Sequence, residues 1–245
     1  ERGKIFGGGA LFAGNLLGKK TIYSMIEPYT EIPLILGQIR KDSFTHKFMQ
    51  WWHKIIVQRA DKITITHPIF LTTIPKEKSY FIHTGANPQK FNEKLPTQHL
   101  KKRYGLVKGK TLLYVGSFSK WHSCTTMIKA VMPLIKKDKQ IKFLMLGKGE
   151  HYETSKRLIE ELKLEKNILL LGKIPFEQLP NYIAAADICL ALFDRTYPPF
   201  KKLDYYYSPI KIHEYKASGK PIIASNIGTL KNYVVNGKNG YSVNE

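Results

Sequence analysis

The strongest constraint on the fold is an alternation that begins near residue 105. Short apolar runs, several closing on a glycine, are each followed by a stretch with helical periodicity. TLLYVGSF (111–118), IKFLMLGKG (141–149), NILLLGKI (167–174), DICLALF (187–193) and GKPIIAS (219–225) read as strands. CTTMIKAVMPLIKK (124–137), HYETSKRLIEELKL (151–164), FEQLPNYIAAA (176–186) and the stretch from Ser208 read as the helices between them. Strand and helix alternating at this spacing predict an α/β fold, a parallel sheet with helices on both faces.

The first hundred residues are less regular. GGGALFAGNLLGKK fits a small-residue helix, followed by a strand over 21–26, an amphipathic helix over 45–60, a strand over 61–67 and a short strand within 78–91. This reads as the closing part of another α/β domain. We expect a first domain over residues 1–92 and a second over 93–245, with both chain ends cutting through a longer protein and a final helix missing.

At 245 residues the chain can bury a sizeable core. Its net charge of +20 invites nucleic acid, an anionic membrane surface or phosphorylated small molecules. The lysines are scattered with few dense blocks, so no specific nucleic acid is expected; that reading would demand a steep salt dependence of binding. The basic amphipathic stretch 45–60 carries Lys47, His53, Lys54 and Arg59 beside Phe48, Trp51 and Trp52, a pattern that fits an anionic membrane; Trp51 and Trp52 more often mean core packing than base stacking. Two distant cysteines, Cys124 and Cys189, suggest neither a disulfide framework nor a metal site and fit a cytoplasmic setting. No apolar run reaches transmembrane length.

The glycines differ in value. Those of FGGGALFAG meet neither the dinucleotide nor the P-loop spacing and suit close helix packing. Gly116, Gly147 and Gly149 follow successive strands, and in an open α/β sheet ligands gather at the carboxyl ends of strands. A crevice is expected there.

SPIKIHEYKASGKP (208–221) raises a sharper question. Ser208 is a favoured N-cap and Pro209 suits the first helical position. Ile210 and Lys211 would then offer unpaired N–H groups at the positive end of a helix dipole, with the Lys211 ammonium beside them. Glu214 lies about 9 Å along the axis from the cap, placed to accept hydrogen bonds from hydroxyls. Local chemistry leaves two readings open: an anion site with a hydroxyl acceptor beyond it, or an exposed Lys–Glu pair worth a few tenths of a kcal/mol.

The ordered set of segments resembles family 4 glycosyltransferases, the retaining group 1 enzymes of the GT-B fold. GSFSKWHSCTTMIKA resembles their G-S-F-R-P-W-H-G-V…L-I-x-A turn and helix, and SPIKIHEYKASGKPIIAS their S-P-L-K-L-F-E-Y-M-A-x-G-K-P-V-V-A-S. LLGKIPFEQLPNYIAAADICL, IGTLKNYVVNGKNGYSV, RADKITITH and IHTGANPQKF are similar to further family segments, in the family's order.

The resemblance implies two Rossmann-like domains with parallel sheets, the amino-terminal, acceptor-side one incomplete. It implies transfer of a hexose from a UDP-, GDP- or ADP-sugar to a glycan or lipid-linked acceptor with retention, at the cytoplasmic face of a membrane, with no metal or other cofactor. Lys211, Glu214 and Lys120 take the catalytic positions. Gly116, Ser117, Ser119, His122, Gly147, Ile174, Ser208, Pro209, Ile210 and Ile212 fall in the donor-binding segments, Ile174 near the base and Glu214 at the ribose. Three departures stand out: Ser119 where the family has a basic residue, Ser123 in place of a glycine, and Tyr206 where many members carry a second glutamate. Ser119, together with the expected truncation, keeps alive a domain that binds nucleotide sugar without transferring it.

Overall fold

The computed structural model describes residues 7–244 and divides into two compact units. The first contains the residues up to Thr84 together with Pro198–Ser208, and the second contains Gly85–Tyr197 and Pro209 onward.

In the first unit the chain runs α1 (Gly7–Leu16), β1 (Ile22–Met25), α2 (Glu31–Ile35), α3 (Phe44–Arg59), β2 (Lys62–Ile65) and β3 (Ser79–Phe81). The strands form a parallel three-stranded sheet in the order β1-β2-β3. β1 and β2 bury alternate side chains, Tyr23 and Met25, Ile63 and Ile65, as a period of two requires when one face meets the core. That face packs on Leu11 of α1 and on Ile56 and Val57 of α3. The glycine run lies at this packing surface: a Cβ on Gly8 would run into the Trp52 ring.

The second unit continues with α4 (Gln98–Tyr104), β4 (Thr111–Val115), α5 (Cys124–Lys137), β5 (Lys142–Leu146), α6 (Tyr152–Glu161), β6 (Ile168–Gly172), α7 (Leu179–Ala185) and β7 (Ile188–Ala191). The chain then adds α8 (Pro198–Leu203) to the first unit and returns as α9 (Ile210–Ala217), β8 (Ile222–Ser225) and β9 (Gly240–Val243). All pairings are parallel, in the order β6-β5-β4-β7-β8-β9. Strands covered on both faces read as nearly continuous apolar runs; in β5 Phe143, Leu144, Met145 and Leu146 are all buried. The chain order runs outward from β4 in one direction and from β7 in the other, so these neighbours mark the topological switch point, where the crevice of such sheets opens.

The expected strands and helices of the second half are present at nearly the expected places, and the helix expected over 124–137 is α5 itself. Three features differ. The units divide at Thr84/Gly85 rather than at 92/93. Residues 198–208 belong to the first unit, where Phe200, Tyr205 and Tyr206 are buried and the Phe200 ring meets the two tyrosine rings tilted and edge-on. β9 completes the sheet as an unexpected sixth strand, admitted by Gly240, where a Cβ would collide with the Ile222 carbonyl. Both cysteines are free and buried.

Candidate functional site at the β4–β7 switch point

β4 ends at Gly116 and β5 at Gly147, and the two turns touch backbone to backbone. A Cβ on Gly147 would overlap the Gly116 carbonyl oxygen, and one on Gly149 would lie 2.6 Å from the Phe118 carbonyl oxygen. These glycines let the two loops nest, and Gly147 meets the site through Gly116. A Cβ on Gly116 would stand 2.5 Å from Lys211 Nζ, so the ammonium would have to shift from its present place to admit one.

Lys211, in the first turn of α9, reaches back over the end of β4. Its stem is partly exposed, while Nζ is shielded from solvent and has no hydrogen-bond partner. It lies 4.6 Å from the centre of the Tyr114 ring and 5.2 Å from that of Phe193, just beyond β7. Burial draws its pKa from 10.5 down to about 8, with Cys124 and Glu214 pulling the other way. The ammonium therefore stands at the switch point itself, and among the described residues no carboxylate lies within ion-pair distance of it.

Around it lies a polar loop. The Tyr114 hydroxyl donates to the Ser117 carbonyl at 2.7 Å. Ser119 Oγ donates to Ser117 Oγ at 2.9 Å, and Ser117 Oγ stands 3.1 Å from His122 Nδ1. Burial, reinforced by the neighbouring Lys211 charge, holds the His122 imidazole neutral, down to about 2. Burial also pushes the Cys124 thiol up to about 11, so it is no nucleophile near neutrality. A cavity of about 360 Å³ opens beside this loop, lined among others by Ser119, Lys120, His122, Thr125, Asp194 and Thr196. Lys120 has an exposed side chain at that cavity and donates its backbone N–H to Glu150 at 3.0 Å.

Glu214 is 6 % exposed, and burial raises its carboxyl pKa against the opposing pull of Lys211. Among the described residues it forms no ion pair with Lys211. The exposed Lys–Glu pair that the sequence left open is not what forms.

Two expectations need correction. Ser208 does not cap α9: Pro209 occupies the N-cap with extended backbone (ψ 102°), and the Ser208 hydroxyl lies 2.5 Å from Thr84 Oγ1 in the first unit. Proline lacks a side-chain oxygen, so the N–H groups of Ile210 and Lys211 lack the side-chain partner that a serine cap would have supplied. Ile212 is fully buried in the core and its N–H donates to the Pro209 carbonyl at 3.0 Å, so neither group faces a ligand. Ile210 is half exposed at the helix start, and Ile174 is partly buried just past β6. Tyr206 is buried within the first unit, 4.4 Å from the Tyr207 ring.

Sequence reasoning missed Tyr114 and Phe193. Both sit in or beside apolar strands and pass for core residues; the available signal was an aromatic side chain at the end of each switch-point strand. Among the described residues no His, Cys, Asp or Glu cluster could hold a metal, and no helix is long and apolar enough to cross a membrane.

The sequence model of the family described as glycosyl transferases group 1 matches residues 97–245. The chain is 24% identical over 191 residues to N-acetyl-alpha-D-glucosaminyl L-malate synthase of Bacillus anthracis, covering 76% of this chain and 46% of the relative. It is 26% identical over 141 residues to the GDP-mannose-dependent alpha-(1-6)-phosphatidylinositol monomannoside mannosyltransferase of Mycolicibacterium smegmatis, covering 58% and 36%. Its fold is similar to that of HepE from Anabaena, solved in complex with UDP-glucose: TM-score 0.68, 18% identity, 96% of this chain and 61% of that one. The chain thus spans less than half the length of these two curated relatives. The structural neighbours identify the fold as GT-B type, α/β with parallel sheets, of which the smaller here has three strands.

Proposed function

The chain belongs to the group 1 glycosyl transferases, and on that premise we propose that it transfers a hexose from a nucleoside-diphosphate sugar to a glycan or lipid-linked acceptor with retention. One observation carries this reading: a solvent-shielded ammonium with no carboxylate at ion-pair distance among the described residues, at the switch point of a parallel sheet, beside a glycine that admits it. An unpaired buried charge is costly and is retained where a ligand completes it.

In this reading the donor diphosphate lies over Gly116, against Lys211 Nζ and the N–H groups of Ile210 and Lys211, where peptide dipoles and ammonium stabilise the leaving group's charge. Pro209 fixes that helix start. Glu214 accepts hydrogen bonds from the ribose, Ile174 flanks the base, and Ser117, Ser119 and His122 line the loop side. Lys120, at the rim of the cavity, stands in for the basic residue that Ser119 replaces. HepE, of the same fold, was solved with UDP-glucose, which supports a nucleotide-sugar donor.

The acceptor side extends the proposal to the inner face of a membrane. Phe44, Phe48 and Trp51 follow one stripe of α3 and are 85%, 38% and 53% exposed. α3 carries basic residues and no acid. Aromatic side chains beside lysines suit an anionic lipid surface.

The test is a thermal-shift screen of UDP, GDP, ADP and their sugars, followed by donor turnover in the protein and in its Lys211→Ala and Glu214→Ala variants. Stabilisation by one base family, with turnover lost in both variants, is expected. Binding without turnover would leave a donor-binding module. No stabilisation by any of the compounds, or unchanged turnover in both variants, would refute the assignment.

A further inference from the structure

Lys211 raises a question that its part in donor binding does not answer: what holds an ammonium in place, shielded and unpaired, before any anion arrives? A lysine stem carries several rotatable bonds, and its charge is strongly drawn to water or to a carboxylate. Glu214 lies one helical turn away and still forms no ion pair with it. The polar groups packed nearby do not pair it either. His122 is neutral and Cys124 is a thiol, so neither supplies a counter-charge, and Nζ makes no hydrogen bond to the Tyr114 hydroxyl, which itself donates to the Ser117 carbonyl.

What the ammonium does meet is two aromatic faces. Tyr114, from β4, is fully buried and offers its ring at 4.6 Å; Phe193, beyond β7, offers its ring at 5.2 Å from the other side of the switch point. Both lie within the range of a cation–π contact, which strengthens when the pair is desolvated. Such a seat differs from a carboxylate in one decisive respect: it stabilises the cation without neutralising it. An aspartate or glutamate at that place would compete with a diphosphate for the same charge. The Tyr114 ring is anchored in turn, edge-on to Phe118 at 5.8 Å and to His122 at 6.1 Å, and its hydroxyl fixes the turn that contains Gly116. His122 is itself 5.2 Å from the Phe193 ring, which ties the two walls together.

We propose that Tyr114 and Phe193 are positioning residues that seat the Lys211 ammonium between their rings, holding it uncompensated and aimed at the β4 turn for an anionic ligand. The inference rests on the donor-site reading and goes beyond it, because it assigns a role to two core-type residues, one in β4 and one just past β7, rather than to the binding loop.

The experiment measures affinities of UDP, GDP and ADP, each beside its nucleoside, for the protein and for Tyr114→Phe, Tyr114→Leu and Phe193→Leu. Removing the Tyr114 ring is expected to weaken the bound diphosphate by about 5- to 30-fold, the range of a desolvated cation–π contact, and to leave the nucleoside unchanged. Tyr114→Phe keeps the ring and should stay within about 3-fold of wild type on the same ground. In a Lys211→Met background, Tyr114→Leu should cost nothing further, since the coupling between contacting residues is gone. The pH at which diphosphate affinity begins to fall, near the Lys211 value of about 8, should move lower in Tyr114→Leu; a structural defect alone would not move it. If Tyr114→Leu fails to fold, Phe193→Leu carries the same comparison. Diphosphate binding that survives both leucine variants, or that Tyr114→Phe damages as much as Tyr114→Leu, overturns the seat while leaving the donor site standing. A wild-type protein that binds none of the diphosphates overturns both.

Discussion

Replacing Lys211 by methionine should make the ligand-free protein more stable. The ammonium is shielded, and burial lowers its pKa from 10.5 to about 8. At about 1.4 kcal/mol per pH unit, keeping that charge inside the fold costs on the order of 3 kcal/mol at pH 7. The Tyr114 and Phe193 rings return part of it, about 1–2 kcal/mol for desolvated cation–π contacts. Methionine has a similar length and no charge, so the net gain is about 1–2 kcal/mol, or about 2–8 °C in Tm for a chain of this size. The gain has a pH signature. Below pH 8 the folded and unfolded chains both carry the proton, and the whole cost is present. Between pH 8 and 10.5 the folded chain releases its proton first, and the cost fades. Calorimetry of the two proteins at pH 7 and pH 10 should show a gap in favour of Lys211→Met that narrows at the higher pH. Adding the preferred nucleoside diphosphate at pH 7 should reverse the order, because only wild type gains by mass action. A variant no more stable than wild type at pH 7, or a gap that pH leaves untouched, would refute the account of Lys211 as a strained, ligand-seeking charge.

Three further outcomes are expected. Glu214→Gln should raise Tm at neutral pH, since burial raises the Glu214 carboxyl pKa and its ionised form destabilises the fold. That advantage should vanish on acidification, as wild type takes up its proton, and nucleoside affinity should fall in the same variant. Gly147→Ala drives a Cβ into the Gly116 carbonyl; the overpacking should cost about 1–3 kcal/mol and depress diphosphate binding with it, read by thermal melting and calorimetric titration. Phe48→Ser with Trp51→Ser removes two aromatics that are partly exposed but also touch Trp52, so a modest loss of stability of about 1 kcal/mol is expected; co-sedimentation with phosphatidylglycerol-rich vesicles should drop sharply, and undiminished sedimentation would exclude α3 as a docking face.

Much of the second unit was legible because its determinants are local and periodic. The strand at 111–115 and the helix at 124–137 follow from β-branched and leucine-rich runs and from 3.6-residue spacing, which a parallel sheet covered on both faces imposes directly on the sequence. The importance of Gly116 and Lys211 was also readable, since a glycine after a strand and a cation in the first turn of a helix are sequence-local signals. Trp51 ran against expectation. It lies on the outer stripe of α3 and is half exposed, while its neighbour Trp52 turns inward to stack on Phe12 at 5.7 Å.

What the sequence by itself determined is the order of strands and helices, the glycine turns at the carboxyl ends of β4 and β5, and the family to which they belong. What only the tertiary structure decided is which distant groups meet. Ser208 looks like a cap in one dimension, yet its hydroxyl is claimed by Thr84, more than a hundred residues earlier in the chain. Tyr114 and Phe193 look like ordinary core residues. Parallel pairing of β4 with β7 makes their strands neighbours, and α9 returns Lys211 over the gap. Local propensity fixes elements within a few residues of one another. The cost of a buried charge, and the aromatic faces that offset it, depend on groups brought together only when the sheet closes.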